Sequence, residues 1–166
     1  MTVQVVDNFL PDDLHHHLCH VLLNDTFPWY FTEDVAYAGS KKEEQDFLFF
    51  HHFYKNEQQC SPYFHSLILP ILGHLRFRHL LHAKANCYTR KATSFQHAFH
   101  VDNYEPCRVG LYALNSNNGY TTFMNGDTFP SIANQMIFFD ANVDHASAPQ
   151  TDTALRVNIN FNFTAL

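Results

Sequence analysis

Hydrophobic and polar residues alternate strictly near the end of the chain, and this alternation predicts a long β-strand over Ala154–Phe163. Its apolar positions are Leu155, Val157, Ile159, Phe161 and Phe163, and its polar positions are Arg156, Asn158, Asn160 and Asn162. Successive side chains of a strand point to opposite faces of the sheet, so one face is predicted to be buried under other elements. The polar face is then expected to point into the mouth of a barrel.

The same period of two recurs over residues 82–88. There the small apolar residues Ala83, Ala85 and Cys87 alternate with Lys84, Asn86 and Tyr88. Further strands are predicted at residues 3–6, 27–31, 47–54, 99–101, 108–114, 119–124 and 135–139. The polar residues 33–46 are expected to form an exposed loop, either a lid over a site or a plain surface connection.

Two segments have helical periodicity instead. Residues 11–22 begin with Pro11 and two aspartates and repeat apolar residues at helical spacing, and residues 61–75 do the same with a kink expected at Pro70. The histidines of the first helix are expected to form a solvated face. These are His15, His16, His17 and His20.

Two helices followed by a run of strands predict a mostly β protein, a double-sheet jelly roll of the cupin-like kind with the N-terminal helices packed on one sheet. The 166 residues suit a single domain over 1–166, with helical support over about 1–80 and a jelly-roll core over about 81–166. The 17 Phe and 8 Tyr residues agree with sheets that enclose large side chains.

Charge and cysteine content exclude some functions. The net charge of −6 argues against non-specific binding of nucleic acid, and the basic residues near the middle of the chain are interpreted as a solvated edge. They are Arg76, Arg78, Lys84, Arg90 and Lys91. Four cysteines without a C-x-x-C pair predict free thiols, and the absence of a signal peptide or a long apolar stretch predicts a cytoplasmic protein.

The candidate chemistry lies in His100-Val101-Asp102 and the distant His145. Two imidazoles and one carboxylate bind one face of an octahedral ferrous ion and leave other positions open. An H-x-D pair alone means little in a chain with 13 His residues, so its position at a strand end and a nearby cation must support it. His97 and Asp144 could compete as ligands, although we expect supporting or surface roles for both.

Arg156 is the candidate cation. A buried Arg is costly without an anion, and its planar guanidinium favours a bidentate carboxylate. A small molecule that could both chelate iron through a 2-oxo acid and pair with this Arg is 2-oxoglutarate. The tyrosines Tyr112 and Tyr120 and the aromatic run at residues 27–31 could line the substrate side, although ordinary core positions are the favoured interpretation.

Together, the segments FHVD, FFDANVDHASAP and LRVNINF resemble Fe(II)- and 2-oxoglutarate-dependent oxygenases of the double-stranded β-helix type, in particular the prolyl 4-hydroxylase-like branch and its short phage-type members. The resemblance implies an iron site at His100, Asp102 and His145. It also implies 2-oxoglutarate contacts at Arg156, Tyr88, Asn86 and Asn158. The implied cofactors are Fe(II) and 2-oxoglutarate, with ascorbate as an optional reductant.

By the same resemblance, the chain would couple decarboxylation of 2-oxoglutarate to succinate with hydroxylation of a substrate C–H bond by dioxygen, and a protein or peptide side chain is the favoured substrate. A nucleic-acid substrate would suit the arrangement Asn86-x-Tyr88, and a small molecule is a further alternative. From other classes, a non-catalytic cupin-like binding domain and a zinc hydrolase remain open.

Overall fold

We describe the fold from a computed structural model, in which residues 2–35, 47–103 and 106–166 are described. The strands are β1 (Gln4–Val6), β2 (Tyr30–Thr32), β3 (Leu48–Lys55), β4 (Gln58–Gln59), β5 (His79–Thr89), β6 (Arg108–Ala113), β7 (Asn117–Phe123), β8 (Thr128–Ser131), β9 (Gln135–Asp140), β10 (His145–Ala148) and β11 (Leu155–Thr164). The helices are α1 (Asp12–Leu22), a π-helical turn (Phe64–Ile68) and α2 (Leu69–Leu72).

Within the described residues the strands form two antiparallel sheets. The major sheet has the order β1-β9-β6-β11-β5-β3-β2, with β4 paired to β3, and the minor sheet has the order β10-β7-β8. Strand β11 lies between β6 and β5, so the strand with the strictest alternation is central. The mostly β jelly-roll prediction is therefore confirmed.

The outer face of the major sheet carries the larger core, in which the helices cover the sheet. Leu18 and Leu22 of α1 pack in one cluster with Ile68 and Ile71 and with the apolar face of β11. The apolar residues of β5, which alternate with polar ones, join the same cluster. Burying this apolar area is the main favourable contribution to folding, and it leaves the polar faces of β5 and β11 on the inner side.

A smaller core fills one end of the space between the two sheets. It contains Val109, Ile137 and Phe139 from the major sheet and Phe123 from the minor sheet. The rings of Phe123 and Phe139 meet edge to face, with their centroids 5.0 Å apart. This cluster holds the minor sheet against the inner face, and the polar cavity described below occupies the rest of that face.

The second helical segment is divided and not simply kinked. A π-helical turn ends at Ile68, and α2 follows with Pro70 in its first turn. Proline has no backbone N–H, and its ring clashes with the carbonyl four residues earlier, so a regular α-helical ladder cannot pass through Pro70. The apolar residues nonetheless keep their inward face, and Leu67, Ile68 and Ile71 are fully buried.

The solvated-face prediction for the first helix is wrong for His15. His15 Nδ1 lies 2.6 Å from the Tyr112 hydroxyl, which donates a 3.1 Å hydrogen bond to Asn134 Oδ1. Asn134 Oδ1 also accepts a hydrogen bond from the backbone N–H of Leu10, and Asn134 Nδ2 donates one to the Leu10 carbonyl oxygen. This network connects the segment before α1 to the sheet. Tyr112 is thus a core residue, as favoured from the sequence.

The other sequence predictions have mixed outcomes. All four cysteines are free thiols, as expected. The strand expected at residues 99–101 does not form, since only His100 makes an isolated bridge, and the short strands β4 and β8 were not anticipated. The predicted loop lies mainly in residues 36–46, outside the described residues. No helix in the described ranges is long and apolar enough to cross a membrane.

Candidate metal and anion site

His100, Asp102 and His145 come together at one end of the inner cavity. Their potential ligand atoms lie within 4.8 Å of one another. Asp102 Oδ1 is 3.7 Å from Nε2 of His100 and 3.7 Å from Nε2 of His145, and the two imidazole centroids are 4.5 Å apart. This spacing suits three donors that converge on one ion.

Backbone carbonyls fix the tautomer of both imidazoles. His145 Nδ1 lies 2.9 Å from the carbonyl oxygen of Val143, and His100 Nδ1 lies 3.4 Å from that of Ala98. A carbonyl only accepts, so each Nδ1 carries the proton and each Nε2 presents its lone pair to the cluster. Burial is the main cause that lowers the pKa of His100, and the neighbouring His145 lowers it further, which favours the neutral ligand form.

The main chain holds the three residues in place. His100 and His145 exchange two backbone hydrogen bonds of 2.9 Å, and the N–H of Asp102 donates to the carbonyl of Ala141 at 3.0 Å. Residues far apart in sequence are therefore joined without help from their side chains.

Asp102 is oriented by the central strand. Asn160 Nδ2 donates a 2.8 Å hydrogen bond to Asp102 Oδ2, which leaves Oδ1 facing the two imidazoles. Asn160 lies opposite Lys84 in the pairing of β11 with β5. The asparagines of β11 therefore contribute directly to the site, beyond the ligand set anticipated from the sequence.

Arg156 is a buried cation with incomplete hydrogen bonding. It is 2% exposed, and its Nη2 donates to Thr121 Oγ1 at 3.4 Å, while Nε and Nη1 have no hydrogen-bond partner in the described part of the chain. Burial is the main cause that lowers its pKa, and Tyr88 opposes that shift. An unpaired buried charge is costly, so this guanidinium requires an anion.

Tyr88, Asn86 and Asn158, which were predicted to contact the co-substrate, line the same cavity as Arg156 and the metal cluster. Tyr88 lies opposite Arg156 in the strand pairing, and the guanidinium carbon is 5.1 Å from the Tyr88 ring centroid. Asn86 lies opposite Asn158 and donates to its Oδ1 at 2.9 Å, while Asn86 Oδ1 has no partner among the described residues.

The two alternative ligands lie apart from the cluster. His97 Nδ1 is 2.8 Å from Ser147 Oγ, and its ring stacks on Tyr88 with centroids 5.9 Å apart. Asp144 is exposed although it adjoins His145. Neither belongs to the group that could hold a metal ion in the described residues.

Sequence reasoning did not single out Thr121, Phe139 and Ser147, which also line the cavity. Lys84 lines the cavity, and Lys91 is 8% exposed with its ammonium 4.0 Å from the Phe47 ring centroid, so the solvated-edge interpretation is wrong for both. The alternation of Lys84 with Asn86 and Tyr88, which predicted a polar face for this strand, agrees with the position of Lys84 in the cavity. Tyr120 does not line the cavity.

Comparisons with known proteins identify the fold. No protein-family model and no curated protein matches the sequence. Solved structures do match, including a Trichoplax adhaerens prolyl hydroxylase in complex with a peptide of the hypoxia-inducible factor oxygen degradation domain, with TM-score 0.65 and 14% identity over 98% of this chain and 83% of that one.

Two further matches come from nogalamycin biosynthesis. The α-ketoglutarate-dependent carbocyclase SnoK matches with TM-score 0.70 and 11% identity over 98% of this chain and 79% of its own. The epimerase SnoN in complex with Fe³⁺, α-ketoglutarate and nogalamycin RO matches with TM-score 0.64 and 13% identity over 98% and 78%. The chain therefore has the double-stranded β-helix fold found in 2-oxoglutarate-dependent Fe(II) oxygenases.

Proposed function

We propose that this protein is an Fe(II)- and 2-oxoglutarate-dependent dioxygenase that hydroxylates a C–H bond of its substrate. The observation that carries the proposal is the cavity itself, which is lined by both a His-Asp-His cluster and a buried, incompletely paired Arg. A ligand that binds both the metal and Arg156 must carry a metal-chelating group and a distal carboxylate, and 2-oxoglutarate has both.

The proposed roles follow from the chemistry of each side chain. Nε2 of His100, Nε2 of His145 and Asp102 Oδ1 would hold the iron, because neutral imidazoles and a carboxylate suit ferrous ion. Arg156 would pair with the distal carboxylate of 2-oxoglutarate, and Tyr88, Asn86 and Asn158 would line its carbon chain. When bound, the iron supplies the oxidising chemistry that couples decarboxylation to hydroxylation.

The chain itself would orient and shield the reactants. Asn160 keeps the second oxygen of Asp102 engaged, so that Oδ1 remains directed at the metal position. Phe139, which belongs to the inner apolar cluster, would present an apolar wall to the bound reactants.

For the primary substrate, we favour a protein or peptide side chain. The net charge of −6 disfavours a polyanionic nucleic acid, which supports this choice. The matched structures include both a peptide complex and enzymes of small-molecule biosynthesis, so substrate screening must include both classes.

The proposal is tested by titrating the iron-loaded protein with 2-oxoglutarate under anaerobic conditions, with ascorbate present to keep the iron ferrous. We expect a weak visible charge-transfer band from the chelate and formation of succinate once air is admitted. A folded, iron-loaded sample that gives neither the band nor succinate would contradict the proposal and favour a non-catalytic binding domain.

Gly119 offers a mutational test of the Arg156 position. A Cβ atom at this buried residue would lie 2.6 Å from Arg156 Cδ, 2.8 Å from Asn117 Oδ1 and 3.0 Å from the carbonyl oxygen of Ala148. Overpacking of this kind costs about 1–3 kcal/mol, and here it would displace the guanidinium. Gly119→Ala should therefore weaken 2-oxoglutarate binding, measured by calorimetry on the metal-loaded protein.

The matched control is Gly73→Ala, where an added Cβ would meet only the carbonyl oxygen of Pro70, at 3.2 Å, outside the cavity. Gly73→Ala should bind 2-oxoglutarate with the same affinity as the wild type. Equal affinities for Gly119→Ala and the wild type would refute the assigned position of Arg156.

A further inference from the structure

A second cation, Lys84, lies on the same polar face of the cavity as Arg156. Tyr88, Asn86 and Lys84 follow one another along β5 and pair with Arg156, Asn158 and Asn160 of β11. The pair of Arg156 and Tyr88 forms one end of this row, and the pair of Lys84 and Asn160 forms the other. Asn160 is the residue that donates a hydrogen bond to Asp102. Lys84 is half-buried, and its ammonium makes no hydrogen bond or ion pair with any residue that the structure describes.

Asp102 is the one described neighbour whose negative charge acts on Lys84, and the histidines beside Lys84 supply none. His52 lies opposite Lys84 on β3, and its Nδ1 is 3.1 Å from Nε2 of His82. Burial, followed by the positive charge of Lys84, lowers the pKa of each of these histidines to about 4, so both are neutral at physiological pH. Asp102 is the single acidic residue among the described residues that line the cavity.

Among the described residues that line the cavity, together with a metal ion and 2-oxoglutarate, the charges sum to one excess positive charge. Arg156 and Lys84 contribute two positive charges and Asp102 one negative charge. A divalent metal ion and the dianion of 2-oxoglutarate cancel each other. Asp102 would then be engaged by the metal, which leaves Lys84 as the cation of the described lining that has no assigned anion.

From this balance, and resting on the proposed function, we infer that Lys84 binds a single carboxylate of the primary substrate and so places the substrate beside the metal. A monoanion matches one uncompensated cation, whereas a phosphate dianion would need a second, and the neutral histidines cannot provide it. The overall charge of −6 also opposes a nucleic-acid backbone.

Asn160 indicates what surrounds that carboxylate. Asn160 lines the same cavity, its Nδ2 donates to Asp102, and its buried Oδ1 has no partner in the described ranges. A buried carbonyl oxygen of this kind requires a donor. An amide N–H next to the carboxylate would satisfy it, which is the arrangement in a peptide that contains Asp or Glu.

The test uses the Mn(II)-loaded protein with saturating 2-oxoglutarate, and it follows the broadening of a probe's proton NMR signals by the bound metal. The probe is N-acetyl-glutamate N-methylamide, and the neutral comparison is N-acetyl-glutamine N-methylamide. We expect the acidic probe to bind about tenfold more tightly, since a charge-assisted hydrogen bond is lost with the neutral probe. The variants are Lys84→Met, Lys84→Arg and, as a control, the exposed Lys55→Met.

The preference for the acidic probe should disappear in Lys84→Met and persist in Lys84→Arg and Lys55→Met. Broadening of acetate equal to that of the blocked glutamate would support the carboxylate site but assign it to a small-molecule acid instead of a peptide. An undiminished preference in Lys84→Met would overturn the inference. Displacement of the probe by excess 2-oxoglutarate would also overturn the inference. A sample in which the metal broadens the signals of an oligothymidylate but not those of the acidic probe would overturn it as well.

Failure of the inference differs from failure of the proposed function. Wild-type protein that forms succinate from 2-oxoglutarate but shows no preference between the two probes would refute the role of Lys84 and leave the oxygenase activity standing. Absence of succinate in the iron-loaded wild type would refute both.

Discussion

Asp102→Ala should abolish succinate formation from 2-oxoglutarate and weaken ferrous-ion binding by more than about 100-fold, because loss of a ligand exceeds the 10- to 100-fold cost typical of losing a supporting contact. The carboxylate is the only negatively charged donor in the His-Asp-His cluster. Its removal leaves two neutral imidazoles, which cannot offset the charge of a divalent ion. The measurements are metal affinity by competition with a chelator and succinate by chromatography.

The control for this variant is Asp144→Ala, which removes an exposed carboxylate beside His145. Asp144→Ala should retain metal affinity and succinate formation. The two variants should have similar unfolding temperatures, which would exclude misfolding as the cause of the loss in Asp102→Ala. Normal turnover by Asp102→Ala, or its loss in Asp144→Ala alone, would show that the metal ligands are misassigned.

The second large effect is expected at Arg156. Arg156→Met should weaken 2-oxoglutarate binding by about 2–5 kcal/mol, the usual cost of removing one partner of a buried hydrogen-bonded charge pair. Methionine keeps much of the side-chain volume next to Tyr88 and Thr121, so the loss is chiefly electrostatic. Calorimetric titration of the metal-loaded protein with 2-oxoglutarate measures it, while metal affinity itself should change little.

The same substitution should raise the free energy of unfolding of the ligand-free protein, because it removes a buried cation whose Nε and Nη1 lack partners in the described part of the chain. Arg108→Met is the control, because Arg108 is a partly exposed cation that already has a partner. Its Nη1 lies 3.3 Å from Asp140 Oδ1. Arg108→Met should change neither the affinity for 2-oxoglutarate nor the free energy of unfolding by much. Unchanged 2-oxoglutarate affinity in Arg156→Met would remove Arg156 from the co-substrate site.

The sequence was most informative where periodicity was strict. The alternation along β11 identified both the buried face and the polar face that carries Arg156, because a strand with one face under helices has little freedom of register. Strand β5 was predicted for the same reason, and its polar residues line the cavity together with those of β11.

The sequence was less informative where tertiary contacts override local preference. Residues 99–101 have the composition of a strand, yet only His100 pairs, because the adjoining backbone turns to donate from Asp102 to Ala141. His15 is polar, but a buried partner, Tyr112, satisfies it. Lys84 was grouped with the basic residues of a solvated edge, although its alternation with Asn86 and Tyr88 places it on the polar face of β5 that lines the cavity.

The reciprocal hydrogen bonds between His100 and His145 have a consequence for metal exchange. Because the main chain already aligns the proposed ligands, the conformational entropy of assembling them is lost during folding and not during metal uptake. Ions such as Mn(II), Co(II) or Zn(II) would therefore enter the same preformed site without refolding the protein. Occupancy in the cell would then follow the relative availability and intrinsic affinity of these ions, so a purified sample should be stripped and reloaded before its activity is judged.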